Sequence, residues 1–380
     1  MSQLASTTYF APHIIHGAGS IKELDRACQA IQAKSLFVVL SERTKKSLKS
    51  TLEQIASSGT SLHFFTDFQS EPTTEHLQVA LKDFKQAKAD GILAIGGGTT
   101  LDLAKALSVL AANTEVTLSD IPHYESLDKI PLIAVPTTAG TGSEVTKVTV
   151  ITDTSLNRKL NPGHPALIPT IVLLDPELTM SMSPKITAET GLDALAHAIE
   201  SYVSTSATPI SDSFALEAIR LIGKSIQVAY HEPQNVTARD NMLRGSMFAG
   251  LAFSNSSTNL AHATARALGT RFSLPHGLSV ALMHPYVISF GTEAANERYT
   301  EIARVLEKEN VLEFIEELNE AFQLKEEAKK RLDLEEVKAC IPILVEDALS
   351  GNGIQTNRKV PTREDITEIY TKLVNDLMGE

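Results

Sequence analysis

Near residue 180 the texture of the chain changes. Before it, short apolar runs alternate with amphipathic stretches; after it, helical periodicity continues almost to the C-terminus. SLFVVL (35–40), SLHFFTD (61–67), GILAIGGG (91–98) and KIPLIAVPTT (129–138) have the length and β-branched content of buried strands. Between them, TEHLQVALKDFKQAKA (74–89) has the spacing of an amphipathic helix. Strands alternating with helices predict a parallel sheet in an α/β domain. VTVITD (148–153) and TIVLLDPEL (170–178) read as further strands, joined as a hairpin or added at the sheet edge. From ITAETGLDALAHAIESYV (186–203) onward an all-α domain is expected. The division falls at 1–180 and 181–380, with a cleft between the two domains. The acidic run 305–338 reads as solvated helix surface, because its apolar positions keep no heptad.

Composition narrows the function classes. A net charge of -12 and a pI near 5.4 argue against nucleic acid or an anionic membrane as the partner. Two isolated cysteines, Cys28 and Cys340, do not make a disulfide framework and fit a reducing cytoplasm. The N-terminus lacks the basic-then-apolar pattern of a secretory signal, and no apolar run is long enough to span a bilayer. A cytoplasmic location is therefore expected.

In GILAIGGGTTLDLAKALSVL (91–110) a strand runs through three glycines into a helix. Glycines let a ligand approach the backbone, and a helix start offers free N–H groups with a partial positive charge. That combination suits a pyrophosphate, or else it is simply a tight turn. It is not the GxGxxG fingerprint. A second loop rich in small and hydroxyl residues, PTTAGTGSEVT (136–146), also follows a strand. Two such loops at strand ends of one parallel sheet point to a nucleotide at its carboxyl edge.

GLDALAHAIE (191–200) sets Asp193 and His197 four residues apart, on one face of a helix. NLAHATARALGTRFSLPHGL (259–278) adds His262 and His276. One carboxylate and three imidazoles make a plausible site for Fe(II), Zn(II) or Ni(II), with coordination positions left for substrate. Taken alone, Asp193 and His197 could equally be a buried ion pair.

These pieces together resemble the iron-containing (group III) alcohol dehydrogenases, the family of lactaldehyde reductase and 1,3-propanediol dehydrogenase. The resemblance includes GAGSIKEL (17–24), GGGTTLDLAK (96–105), PTTAGTGSEVT (136–146), DPEL (175–178), TAETGLDALAHAIESYVS (187–204) and VPTREDI (360–366). It implies an NAD(P)-binding N-terminal domain and a helical metal-binding domain. It also implies that Asp193, His197, His262 and His276 are the metal ligands, with Fe(II) expected and Zn(II) the alternative. Gly97, Gly98 and Thr99 would meet the pyrophosphate, with Asp102 nearby. Thr137, Thr138, Thr141 and Ser143 would line the rest of the cofactor site, and Lys159 would lie near the ribose. Members of the family are commonly homo-oligomers.

The sequence departs from the family pattern in two places. Where members often carry a second histidine, in an HAxAH pattern, this chain has Arg266. An arginine stays protonated and is a poor general base, so the reaction's proton needs another route. Where NAD-using members carry an aspartate after the first strand, this chain has Ser41 or a neighbour, followed by Glu42, Arg43 and Lys45. NAD(H) is expected in preference to NADP(H). The implied reaction is hydride transfer between the nicotinamide and a short-chain aldehyde or alcohol. Arg266, one helical turn from His262, would suit a carboxylate, sulfonate or phosphonate on that substrate. A glycerol-type dehydrogenase and a dehydroquinate-synthase-like cyclase are the alternatives on the same scaffold.

Overall fold

A computed structural model of the chain describes residues 6–10, 13–68, 71–155, 158–351 and 353–379. The chain forms two compact units, one of Tyr9–Ser181 and one of Met182–Glu380 together with the described N-terminal residues 6–8.

The first unit is built on a six-stranded parallel sheet. Its strands are β1 (Ile14–His16), β2 (Ser35–Leu40), β3 (Ser61–Phe65), β4 (Gly91–Gly96), β5 (Leu132–Pro136) and β8 (Ile171–Leu174), in the order β1-β8-β5-β4-β2-β3. A separate antiparallel hairpin pairs β6 (Ile151–Asp153) with β7 (Arg158–Leu160). The helices are α1 (Leu24–Ala30), α2 (Glu42–Ser47), α3 (Lys49–Ser57), α4 (Thr74–Ala87) and α5 (Gly98–Ala112). Side chains alternate across each strand, so both faces of the sheet need cover. Phe37, Val39, Ile92, Ala94, Leu132 and Ala134 pack with residues of α4 and α5 in one core. Leu36, Val38, Leu40, Leu93, Ile95 and Val135 pack with residues of α1 and α3 in another.

TIVLLDPEL supplies β8, which lies inside the parallel sheet between β1 and β5. The hairpin partner of β6 is instead β7. Asp175, fully buried after β8, accepts hydrogen bonds from the backbone N–H groups of Gly19, Ile21 and Glu177 and so fixes the turn after β1.

The order fixes where a ligand can sit. From β2 the chain first adds β3 on one side, then returns to add β4 on the other. Connections leaving β2 and β4 therefore diverge, which opens a crevice beyond their carboxyl ends. Ser41 follows one of these strands and Gly97 the other.

The second unit is all helical among its described residues. It comprises α6 (Pro184–Val203), α7 (Pro209–His231), α8 (Val236–Ser254), α9 (Leu260–Phe272), α10 (His276–Gly291), α11 (Asn296–Leu306), α12 (Val311–Ala321), α13 (Leu324–Lys329), α14 (Leu334–Leu349) and α15 (Arg363–Met378). Ser183 caps α6 and Pro184 occupies its first turn. Every residue of α6 from Gly191 to Val203 is buried. Its alanines let neighbouring helices pack close, and a helix apolar on all sides belongs in a core. Two arginines close its C-terminal end: Arg298 donates to Tyr202 O, and Arg358 to Val203 O and Ser204 O. Among the described residues no helix is long and apolar enough to cross a membrane.

Candidate functional site

The glycine turn and the hydroxyl loop are packed on each other. Gly97 stands before the first residue of α5, where no side chain caps the helix. A Cβ on Gly97 would come within 3.1 Å of Thr138 Oγ1, and one on Gly98 within 2.8 Å of Thr141 Cγ2. A side chain at Gly98 would force Thr141 to shift and one at Gly97 would crowd Thr138, so the two loops pack closest with glycine here, with no left-handed backbone involved. Thr137 N–H donates to Gly96 O at 2.9 Å. Gly97, Gly98, Thr99, Thr137, Thr138 and Thr141 remain half-exposed around the open helix start.

Asp102 and Lys105 tie the two loops from within α5. Ser143 Oγ donates to Asp102 Oδ1 at 2.5 Å, and Val150 N–H to Asp102 Oδ2 at 3.0 Å. Lys105 Nζ donates to Ser143 O at 2.9 Å, to Thr146 Oγ1 at 2.9 Å and to Val148 O. Burial pushes the Lys105 ammonium down to about 8, against the pull of Asp102 and Glu144. Ser41 caps α2, its Oγ accepting from Thr44 N–H at 3.1 Å. Lys159, on β7, pairs with Glu71 at 2.8 Å.

In the helical unit, Asp193, His262 and His276 each bring one ligand atom within 4.8 Å of the others. Asp193 Oδ1 lies 3.4 Å from His262 Nε2 and 3.6 Å from His276 Nε2. His197 stands alongside, its Nδ1 3.9 Å from Asp193 Oδ2 and its ring stacked on His262 and Phe253. Burial would raise the Asp193 carboxyl, but the imidazoles of His197, His276 and His262 hold it well below the usual carboxylate range. Burial pushes His197 down to about 3. His262 is pushed up to about 9, because Glu200 and Asp193 together outweigh its burial.

The donor set fits a divalent cation. Asp193 Oδ1, His197 Nδ1 and His262 Nε2 are buried and have no hydrogen-bond partner. Buried polar atoms are ordinarily paired, so Asp193 Oδ1 and His262 Nε2, which converge with His276, mark a place for a bound group; His197 is not part of that three-residue convergence. A cation and a proton compete for the same Nε2 lone pair of His262.

Two further residues shape this site. Gly277 follows His276 at the start of α10, and a Cβ there would come 2.3 Å from Glu189 O. Only glycine lets α10 approach α6 closely enough to present His276 beside Asp193. Glu200 lies one turn beyond His197 on α6, and sequence reasoning passed it over. Its Oε2 is 2.5 Å from His262 Nδ1, and its Oε1 accepts Ala261 N–H at 2.6 Å. The i, i+4, i+7 spacing of Asp193, His197 and Glu200 was the available signal.

Arg266 is half-buried on α9, with its guanidinium against Gly351; a Cβ on that glycine would fall 1.9 Å from Nη2. Burial lowers its affinity for the proton, and Asp347 opposes this.

Residues 11–176 match the family described as iron-containing alcohol dehydrogenase, and residues 187–374 match that family's C-terminal region. The chain belongs to the iron-containing alcohol dehydrogenase family. It is 34% identical over 380 residues to the probable alcohol dehydrogenase EutG of Salmonella typhimurium, covering 97% of this chain and 94% of that one. The crystal structure of a 1,3-propanediol oxidoreductase superposes with a TM-score of 0.89 at 27% identity, covering 97% of this chain and all of the other. A sulfoacetaldehyde reductase from Bifidobacterium kashiwanohense, solved in complex with NAD+, gives 0.88 at 29% identity, covering 98% of this chain and 99% of the other. The chain is therefore an oxidoreductase of the alcohol dehydrogenase class.

Proposed function

We propose that this iron-containing alcohol dehydrogenase reduces a short-chain aldehyde with NADH, using Fe(II) held by Asp193, His262 and His276 with His197 as the fourth ligand. The observation that carries the metal reading is the convergence of Asp193, His262 and His276 with two of their ligating atoms buried and unpaired. One carboxylate with neutral imidazoles leaves a divalent ion with net charge of about +1, which favours an alkoxide beside it. Bound there, the ion supplies Lewis-acid polarisation of the aldehyde oxygen. His197, His262 and His276 would have to be neutral to hold the ion, and Phe253 stacks on His197 to fix its ring. Zn(II) fits the same donors.

For the cofactor, the open start of α5 and the half-exposed threonines at the β2/β4 switch point support a pyrophosphate between the two loops. The related sulfoacetaldehyde reductase with bound NAD+ supports NAD(H).

The finer part of the reading is charge. Arg266 is half-buried one helical turn from His262, and the same relative is named for a sulfonated aldehyde. We propose that the substrate carries an anionic group paired with this guanidinium. Steady-state kinetics on neutral, carboxylated and sulfonated short aldehydes test it. Arg266→His is expected to lower kcat/KM for the anionic aldehydes by about tenfold or more and to leave neutral ones little changed. An unchanged preference between charged and neutral aldehydes contradicts the anionic reading.

A further inference from the structure

Glu200 is a buried carboxylate with every contact fixed by backbone or ring. It is 2% exposed on a helix that is buried along this whole stretch. Its Oε1 accepts Ala261 N–H at 2.6 Å, in the first turn of α9, where Asn259 makes no side-chain cap. Asn259 Nδ2 in turn donates to Glu200 O at 2.9 Å. The start of α9 is thereby locked to α6. The remaining oxygen, Oε2, meets His262 Nδ1 at 2.5 Å. His262 Nε2 then points the other way, 3.4 Å from Asp193 Oδ1 and without a hydrogen-bond partner.

A carboxylate can only accept, so His262 must carry its proton on Nδ1. With Nδ1–H committed to Glu200, the Nε2 lone pair is directed at Asp193 and His276. We propose that Glu200 is a positioning residue: it fixes the tautomer and ring orientation of His262 and so sets the affinity of the Asp193–His262–His276 cluster for a divalent cation. The proposal rests on the metal reading above. It extends that reading to a group that touches neither the metal nor the substrate.

The geometry makes the substitution Glu200→Gln informative. Glutamate offers two acceptors to two donors, Ala261 N–H and His262 Nδ1–H. Glutamine offers one acceptor and one donor group. If its oxygen turns to Ala261, its NH2 faces Nδ1 and drives the imidazole proton to Nε2, the wrong nitrogen for a ligand. If it turns the other way, NH2 meets the fixed Ala261 N–H.

The test is metal affinity of the full-length, metal-stripped protein at one pH. Zn(II) is titrated in competition with a chromophoric chelator, and the visible absorption of the Co(II) form reports ligand geometry. Wild type, Glu200→Gln, Glu200→Asp and Asp193→Asn are compared, each with its thermal midpoint without metal. Glu200→Gln is expected to bind Zn(II) about 10–100-fold more weakly, with an altered Co(II) spectrum. A merely structural cap on α9 would shift the metal-free midpoint and leave the Co(II) spectrum of the folded protein as in wild type. Glu200→Gln with wild-type affinity and spectrum, while Asp193→Asn loses binding, overturns the positioning role and leaves the metal reading standing. Wild type that binds neither metal overturns both. If Glu200→Gln does not fold, Glu200→Asp decides. Withdrawn by one methylene, its carboxylate cannot span both donors, so undiminished affinity in that variant contradicts the proposal.

Discussion

Glu144 shows how one buried carboxyl makes stability depend on pH. It lies in the turn after Gly142, 2% exposed, with Oε1 unpaired. Burial raises its pKa from 4.5 to about 7, opposed by its backbone hydrogen bond and by Lys105. Between these values the folded state holds a proton that the unfolded chain has released. Its contribution to stability is thus full below 4.5 and is lost as pH rises through about 7. Glu144→Gln removes that loss, so the variant should gain roughly 1–3 kcal/mol over wild type at pH 8 and little at pH 5. Thermal midpoints across this range check it; a difference independent of pH contradicts it. Among the site residues, legibility followed chemistry. Asp193 and His197 stood out because an acid and an imidazole four apart in an alanine-rich run need a reason. Glu200 shares their face at i+7, but that spacing alone does not give it a role, because its partners, Ala261 N–H and His262 Nδ1, come from a distant segment.

At the scale of elements, α10 carries a defect and its repair. Pro285 inside this helix has no N–H to give to Ala281 O. Asn319 Nδ2, on α12, donates to that carbonyl at 2.8 Å instead. Asn319→Leu should therefore destabilise the protein by about 1–3 kcal/mol by orphaning a buried carbonyl. In a Pro285→Ala background the helix can make its own bond, and the cost of Asn319→Leu should shrink by about half or more. Denaturant unfolding of the four proteins measures this coupling; additive costs would contradict the repair. The strands β2, β4 and β5 could be read from sequence because strands covered on both faces become continuous apolar runs, whereas β3, at the sheet edge and only partly buried, is marked only by its aromatic residues. Pairing was harder. The run at 170–178 reads as a hairpin with 148–153 or an addition at the sheet edge, yet it lies inside the parallel sheet between β1 and β5, because strand order is set by contacts remote in sequence. Arg158–Leu160 is polar and short, and Ile14–His16 has only three residues, so neither carried a strand signal.

At the scale of the whole molecule, the two units carry different candidate groups. The α/β unit supplies the glycine turn and the threonine loop at its switch point, and the helical unit supplies the acid and imidazoles. The change of texture near residue 180 foretold both fold types, because a parallel sheet and a helix bundle have different hydrophobic periods. Reduction by this protein is predicted to depend on a cation held by the helical unit. That dependence is tested by aldehyde-dependent oxidation of NADH and NADPH by metal-stripped protein, handled without oxygen. Fe(II), Zn(II) or nothing is added back, with Asp193→Asn alongside. The prediction is a silent stripped enzyme, wild-type turnover restored by added metal with NADH as the better reductant, and no restoration in Asp193→Asn. Undiminished turnover by the stripped protein, or none with any metal, would contradict it.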